Sequence, residues 1–178
     1  MTDSDLIARV LVRQDHGAFG ELVRRHQSAV RHFLRHLTHG DIALADDLAQ
    51  ETFVHAWRNV ARFQGRSSFL TWLFGIAHNH WRNARRRQRT ESLQPAHLDT
   101  LEPIPSSVPL SDLRADIDRA LTSLAPDEQT TLHLCYQQGF SHSEIAAILD
   151  WPLGTVKTHL NRGKEKLRPL LVSWNPQI

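Results

Sequence analysis

Residues 140–168 read FSHSEIAAILDWPLGTVKTHLNRGKEKLR, and this stretch decides the fold. Ser141 followed by Glu144 makes a capping box, each side chain satisfying an orphan backbone N–H of the other's residue at a helix start. Ile145, Ile148 and Leu149 then share one face. Residues 150–154 contain Asp150, Pro152 and Gly154 and read as a turn, after which Thr155 is expected to cap a final helix. That helix turns Val156, Leu160, Leu167 and Leu171 inward and leaves Lys157, Thr158, Asn161, Arg162, Lys164 and Arg168 outward. Two helices joined by a tight turn, the second with a polar and cationic outer face, form a helix-turn-helix. Donors on the N-terminal half of its second helix can reach base edges and phosphates in a major groove. The alternative is a solvated basic face, since cations also suit a helix C-terminus.

Upstream, Pro126-Asp127-Glu128 opens another helix, with proline and acids at its first turn, and Gly139 ends it. Leu113, Ile117, Ala120, Leu121 and Leu124 make an amphipathic helix before that. Residues 91–112 differ in kind. Pro95, Pro103, Pro105 and Pro109 break any long helix, and Glu91, Asp99, Glu102 and Asp112 stand there without a lysine or arginine. The stretch reads as a flexible acidic linker.

The N-terminal part is also helical. Leu6, Ile7, Val10 and Leu11 form a stripe closed by Asp15-His16-Gly17; a second run from Phe19 to Leu37 breaks at Gly40-Asp41. Residues 43–87 read ALADDLAQETFVHAWRNVARFQGRSSFLTWLFGIAHNHWRNARRR. A helix from about Ile42 to Phe63 carries Asp46, Asp47 and Glu51 on one side, a pattern that by itself is usually just solvated. Residues 64–68 form a loop in which Ser67 or Ser68 can cap the following helix. That next helix has Leu70, Leu73, Ala77 and Ala84 toward a core. Outside this stripe it carries Trp72, His78, Asn79, Trp81, Arg82 and Asn83. Rings to stack on bases, amides for base edges and arginines for phosphates suit single-stranded DNA. The equal alternative is that Trp72, Phe74 and Trp81 are core aromatics of a helical bundle.

The expected fold is therefore all-α: an N-terminal helical domain (1–90), the acidic linker (91–112) and a C-terminal helix-turn-helix domain (113–178). Net charge is only +2, but residues 1–90 hold 14 arginines against 8 acids, and Arg82, Arg85, Arg86, Arg87 and Arg89 cluster tightly. Such local clusters suggest nucleic-acid footprints rather than a generally sticky surface. No secretory signal is visible, and the greasiest stretch, residues 69–77, is far below the ~20 residues that span a bilayer. With Cys135 the only cysteine, neither an internal disulfide nor a thiolate zinc site is expected. The reading is cytoplasmic. The 12 histidines include His32, His36 and His39 at helical spacing, but no HExxH or Cys/His cluster accompanies them; surface histidines are the cheaper account. No phosphate loop, nucleophile elbow or buried carboxylate pair suggests an enzyme, and no metal or cofactor is expected.

In this order, the two motif blocks closely resemble the extracytoplasmic-function class of bacterial RNA polymerase sigma factors. DDLAQETFVHAW with RFQGRSSFLTWLFGIAHNHWRNARRR is similar to the family's second conserved region, and residues 120–168 to its fourth. The resemblance implies that Asp46, Asp47, Leu48, Gln50, Glu51 and Phe53 dock on core RNA polymerase, which supplies the cationic partner. It implies that Phe63, Arg66, Ser67, Ser68, Trp72, Asn79, Arg82, Asn83, Arg85, Arg86 and Arg87 engage the melted −10 promoter element. Thr155, Lys157, Thr158, Asn161, Arg162 and Lys164 would read the −35 element as duplex. The linker would thread the polymerase channel, where negative charge imitates nucleic acid. Control is expected from an anti-sigma protein that clamps both domains, since no further sensory domain is read in the chain. Phosphorylation of Thr52 in the polymerase-docking helix is a weaker alternative, because the acids it would replace are already present.

The rival reading is a stand-alone helix-turn-helix regulator acting as a dimer on palindromic duplex operators. The sigma reading expects a monomer when free, no membrane insertion and weak DNA binding without polymerase. A third reading, a histidine-rich metalloenzyme, would require stoichiometric metal.

Overall fold

The computed structural model describes residues 1–91 and 123–172, with side chains to residues 88 and 169. The acidic linker and most of the amphipathic helix expected at residues 113–124 lie outside the described residues. Seven α-helices are described: α1 (Asp3–Arg13), α2 (His16–Leu37), α3 (Ile42–Asn59), α4 (Phe69–Glu91), α5 (Pro126–Leu132), α6 (His142–Leu149) and α7 (Leu153–Val172).

Short polar caps set the boundaries. Thr2 and Asp5 close a capping box on α1, and Asp15 caps α2 by accepting from the Ala18 N–H at 2.9 Å. Asp15 therefore starts α2 rather than closing α1, and His16 and Gly17 are helical. Gly40, at φ +90°, turns the chain into Asp41, which caps α3. A 3-10 turn, Val60–Arg62, ends that helix, and Ser68 accepts from the Thr71 N–H at 3.0 Å to cap α4. Leu6, Leu22, Val30, Phe33, Leu34, Leu73 and Phe74 are fully buried, so α1 to α4 close one core.

In the C-terminal half, Pro126 opens α5, which continues into a π-helical turn over His133–Gln137. Ser141 and Glu144 form the expected capping box on α6. Two details differ from expectation. Asp150 takes the left-handed conformation at φ 58° and ends α6 by itself; α7 then begins at Leu153, so Thr155 lies inside the helix instead of capping it. The chain turns within three residues because Asp150 tolerates a conformation that other branched or bulky residues resist. Gly163 is buried where α7 crosses α5: a Cβ there would stand 2.7 Å from Leu132 Cδ1. Only a side chain this small allows the two helices so close.

The halves pack on each other through α4 and α6. Phe74, itself against Phe33 at 4.5 Å, meets Phe140 edge-on at 5.1 Å. Thr71 donates to Glu144 at 3.2 Å, and Gly75 approaches the Ile148 carbonyl. Thr71, Gly75 and His78 recur at intervals of four and three, so one stripe of α4 faces the C-terminal half.

Candidate nucleic-acid and partner interfaces

The acidic helix α3 stands over α2, and the groove between them encloses about 700 Å³. Phe19 and Val23 from α2 and Phe53 and Trp57 from α3 give it apolar walls; Asp47 and Gln50 supply polar groups at its edge. The α2 wall was missed in the sequence, although Phe19 and Val23 at i, i+4 spacing carry the signal.

The expected acidic face is not uniform. Asp46 is half-buried, with Arg31 at 3.5 Å and Arg35 at 3.8 Å, so this chain already supplies it with cations. Glu51 lies 3.2 Å from His80 of α4. Asp47 and Gln50 are exposed. Leu48 is 3 % exposed, so its side chain anchors α3 in the core and offers no contact of its own. Thr52 is completely buried and donates to the Leu48 carbonyl at 2.7 Å, which withholds it from a kinase in this fold.

Along α4 the polar groups sort by face. Asn79, Arg82, Asn83, Arg85, Arg86 and Arg87 are exposed. Arg66, Ser67 and Ser68 are also exposed, beside the start of the helix. Phe63 and Trp72 are half-buried against each other and against Phe69, with ring centroids 5.5 Å apart in each pair. Trp81 is half-buried too, with the Arg85 guanidinium 5.5 Å from its ring centre. The two readings of these aromatics therefore merge: Phe63 and Trp72 brace the loop at residues 64–68 while part of each ring stays accessible.

His78, expected to point outward with this polar set, is instead 4 % exposed. Burial, then the Arg82 charge, push its pKa down to about 4. The expectation of surface histidines fails at two more positions. His133 is 4 % exposed with a pKa pushed by burial to about 3, and His36 is pushed the same way to about 4. Their i, i+4 and single-residue signals cannot reveal burial, because the covering surface comes from the other half of the molecule. Among the described residues no group of three or more His, Cys, Asp or Glu side chains is placed to hold a metal ion.

On α7, Val156 and Leu160 are buried and Lys157, Thr158, Asn161, Arg162, Lys164 and Arg168 are exposed, as the sequence periodicity requires. Thr155 is half-buried, and Thr158 donates its hydroxyl back to the Gly154 carbonyl at 2.9 Å. Lys164 lies over the Tyr136 ring at 5.5 Å. Lys166 is drawn to the opposite flank, where its ammonium donates to the buried Glu128 carboxylate at 2.7 Å. That hydrogen bond holds the Glu128 carboxyl below its usual range.

Residues 22–91 match sigma-70 region 2, and residues 114–167 match sigma-70 region 4. The chain belongs to the extracytoplasmic-function sigma factors. It is 32 % identical to the ECF RNA polymerase sigma-E factor of Haemophilus influenzae, over 96 % of this chain and 98 % of that one. It is 33 % identical to the corresponding factor of Escherichia coli K12, over 96 % and 97 %. Similar solved structures include the following two. One is the sigma factor RpoE in complex with the anti-sigma factor NepR from Bartonella quintana, at TM-score 0.70 and 28 % identity, over 86 % of this chain and 96 % of that one. The other is CnrH in complex with the cytosolic domain of CnrY, at TM-score 0.67 and 28 % identity, over 96 % and 97 %. As a sigma factor the protein is not an enzyme: it binds core RNA polymerase and promoter DNA and directs promoter-specific initiation. Among the described residues no helix is long and apolar enough to cross a membrane.

Proposed function

We propose that this sigma factor docks on core polymerase through the α2–α3 groove, opens the −10 element with α4 and reads the −35 element with α7. The observation that carries this is the separation of three surfaces on one chain: an acid-edged apolar groove, a helix tipped with exposed arginines and amides, and a helix-turn-helix with a cationic outer face. Asp47 and Gln50 are the principal polar contacts to polymerase, Phe53 lies in the apolar wall, and Glu51 joins them once His80 yields it. Leu48 acts from within the core by holding α3 straight.

On α4, Asn79 and Asn83 supply base-edge hydrogen bonds, and Arg82, Arg85, Arg86 and Arg87 supply phosphate contacts. Removing a base from its stack costs a few kcal/mol. The loop with Arg66, Ser67 and Ser68, braced by Phe63 and Trp72, is the pocket that offsets it. On α7, Lys157, Asn161 and Arg162 reach the −35 major groove, with Thr155, Thr158 and Lys164 at the margins. The protein acts in the cytoplasm, within a stress response, as a monomer when free. The likeness to the sigma factor RpoE, solved with the anti-sigma factor NepR, supports an anti-sigma partner here as well.

The test is binding of the full chain to core polymerase, followed by run-off transcription from genomic fragments. Asp47→Arg should abolish the complex and Asp46→Ala should weaken it little, since Asp46 is already paired within the chain. Equal losses in both would remove the distinction. A dimer binding duplex operators without polymerase would overturn the role assignment altogether.

A further inference from the structure

The seam between the halves is lined with histidine. His36 of α2 stacks on His133 with ring centres 4.2 Å apart and planes 8° from parallel. His32 lies 5.3 Å from the same ring, and Phe33 lies 6.2 Å from it. From its own turn, Gln138 places its amide nitrogen 3.4 Å from His133 Nε2, where a neutral ring accepts; Gln137 also faces the ring and reaches His32 at 3.5 Å. His39 also acts on His36. Farther along the seam, His78 of α4 is buried with Nδ1 lacking a hydrogen-bond partner. The charges around it are Arg82 on its own helix, Asp127 on α5 and Asp150 at the end of α6.

His78 and His133 are buried and His36 is half-buried, and none of the three rings serves the polymerase or promoter surfaces. We propose that His36, His78 and His133 form a proton-sensitive clasp: as neutral rings they let the two halves close, and on protonation they drive the halves apart and uncover the Thr71, Gly75 and His78 stripe of α4. Two stacked imidazoles attract as neutral aromatics and repel as cations, and burial deepens the penalty on the charged form. His133 is the first residue of the π-helical turn.

The direction follows from the titration of each ring. Burial first, then His39 and His32, depress His36 to about 4. Burial first, then His36 and His32, depress His133 to about 3 against a hydrogen bond with Gln137. Burial and Arg82 outweigh Asp127 and Asp150 at His78, which falls to about 4. In the opened chain the rings return to about 6.5. Above that pH neither state takes up protons and the balance does not change. Below it the open state binds protons that the closed state refuses, so closure loses ground from about 6.5 down to the closed-state values. With two or three such rings, the open-to-closed ratio rises roughly 10²- to 10³-fold between pH 7.5 and 5.5.

Small-angle scattering of the full chain from pH 7.5 to 4.5, with far-UV circular dichroism on the same samples, tests this. The expected result is an increase in radius of gyration beginning below pH 6.5 with helicity retained. The His36→Phe, His133→Phe double variant keeps an aromatic stack without a titrating ring, and its expansion should move at least one pH unit lower. A radius that stays constant to pH 4.5, or expansion only with loss of helicity, would overturn the clasp. So would expansion of the double variant at the wild-type pH. Should that variant not fold, the wild-type histidine NMR titration decides: midpoints of His36 and His133 near 6.5 in a chain that remains compact would sink the idea. All these readouts are conformational, so they fail or succeed independently of the promoter roles assigned to α4 and α7.

Discussion

Helices α4 and α7 both present arginine or lysine beside amide side chains, yet they are held in opposite ways. The buried side of α7 rests on α5 and α6 of its own half, and its cationic side is open. α4 rests on α2 and α3 with one side and on α6 with another, so its exposed Asn79 and Asn83 lie beside a covered stripe. A helix anchored only within its own domain can engage DNA as it stands. A helix that also serves as a domain interface has its DNA access tied to that interface. On the roles proposed above, duplex contact through α7 would be available in the closed molecule, and single-strand capture by α4 would depend on how firmly the halves hold.

Removing the ring shared by both sides should have the largest effect. Phe74 is fully buried, between Phe33 and Phe140, and serves the N-terminal core and the seam together. Phe74→Ala should lower unfolding free energy by about 3–5 kcal/mol in a urea titration. A loss under about 1 kcal/mol would mean that the halves are not packed through this ring, and the comparison between the two helices would fail. Next comes Arg162→Ala on the open helix. Binding of holoenzyme to its −35 element should weaken by about 1–3 kcal/mol if the guanidinium reads a base edge. The same loss on every promoter sequence would make it a phosphate contact instead. Then Ser141→Ala, which removes the cap of α6, should cost about 1 kcal/mol in thermal or urea unfolding. Its carboxylate partner Glu144 also receives Thr71, so part of that loss should appear as looser closure.

Why the sequence reveals α7 so fully and α4 only in part has the same physical root. Periodicity reports which side of a helix is apolar, and on α7 the apolar side is the only one covered. Val156, Leu160 and the exposed Lys157, Asn161 and Arg162 were therefore all legible, as were the boundaries set by Ser141, Glu144 and Pro126. On α4 the seam is made from Thr71, Gly75 and His78, polar or small residues that read as solvent-facing. Thr71 meets Glu144 and Gly75 approaches Ile148, each 73 positions later. Long-range packing of that kind leaves no periodic trace. The same blindness applied to His36 and His133, which look like surface histidines until the two halves are brought together. The intrachain cations of Asp46 were hidden for a related reason: Arg31 and Arg35 sit on a different helix. Thr155 failed locally, since Asp150 took up the left-handed turn early and α7 began two residues ahead of the expected cap.

The finest test separates the hydrogen bonds of the seam from its histidines. Thr71 is 3 % exposed; its hydroxyl lies 2.8 Å from Ser68 Oγ and donates to Glu144 at 3.2 Å. Thr71→Val keeps the shape and removes the donor, so closure should weaken by about 0.5–1 kcal/mol. The Glu144 carboxyl is held below its ordinary value of 4.5, mainly by the Ser141 N–H and hydroxyl, with a smaller part from Thr71. A depressed carboxyl stabilises the fold above its ordinary pKa and loses that contribution as pH falls through its lowered value. The Glu144 contribution therefore disappears only below about pH 4.5, after the histidines have begun to act at about 6.5. Scattering curves of Thr71→Val should consequently keep the wild-type onset near pH 6.5 and show a uniformly larger open fraction above it. An onset displaced toward pH 4.5 would mean that the carboxylate network, and not the stacked imidazoles, sets the acid response of the seam.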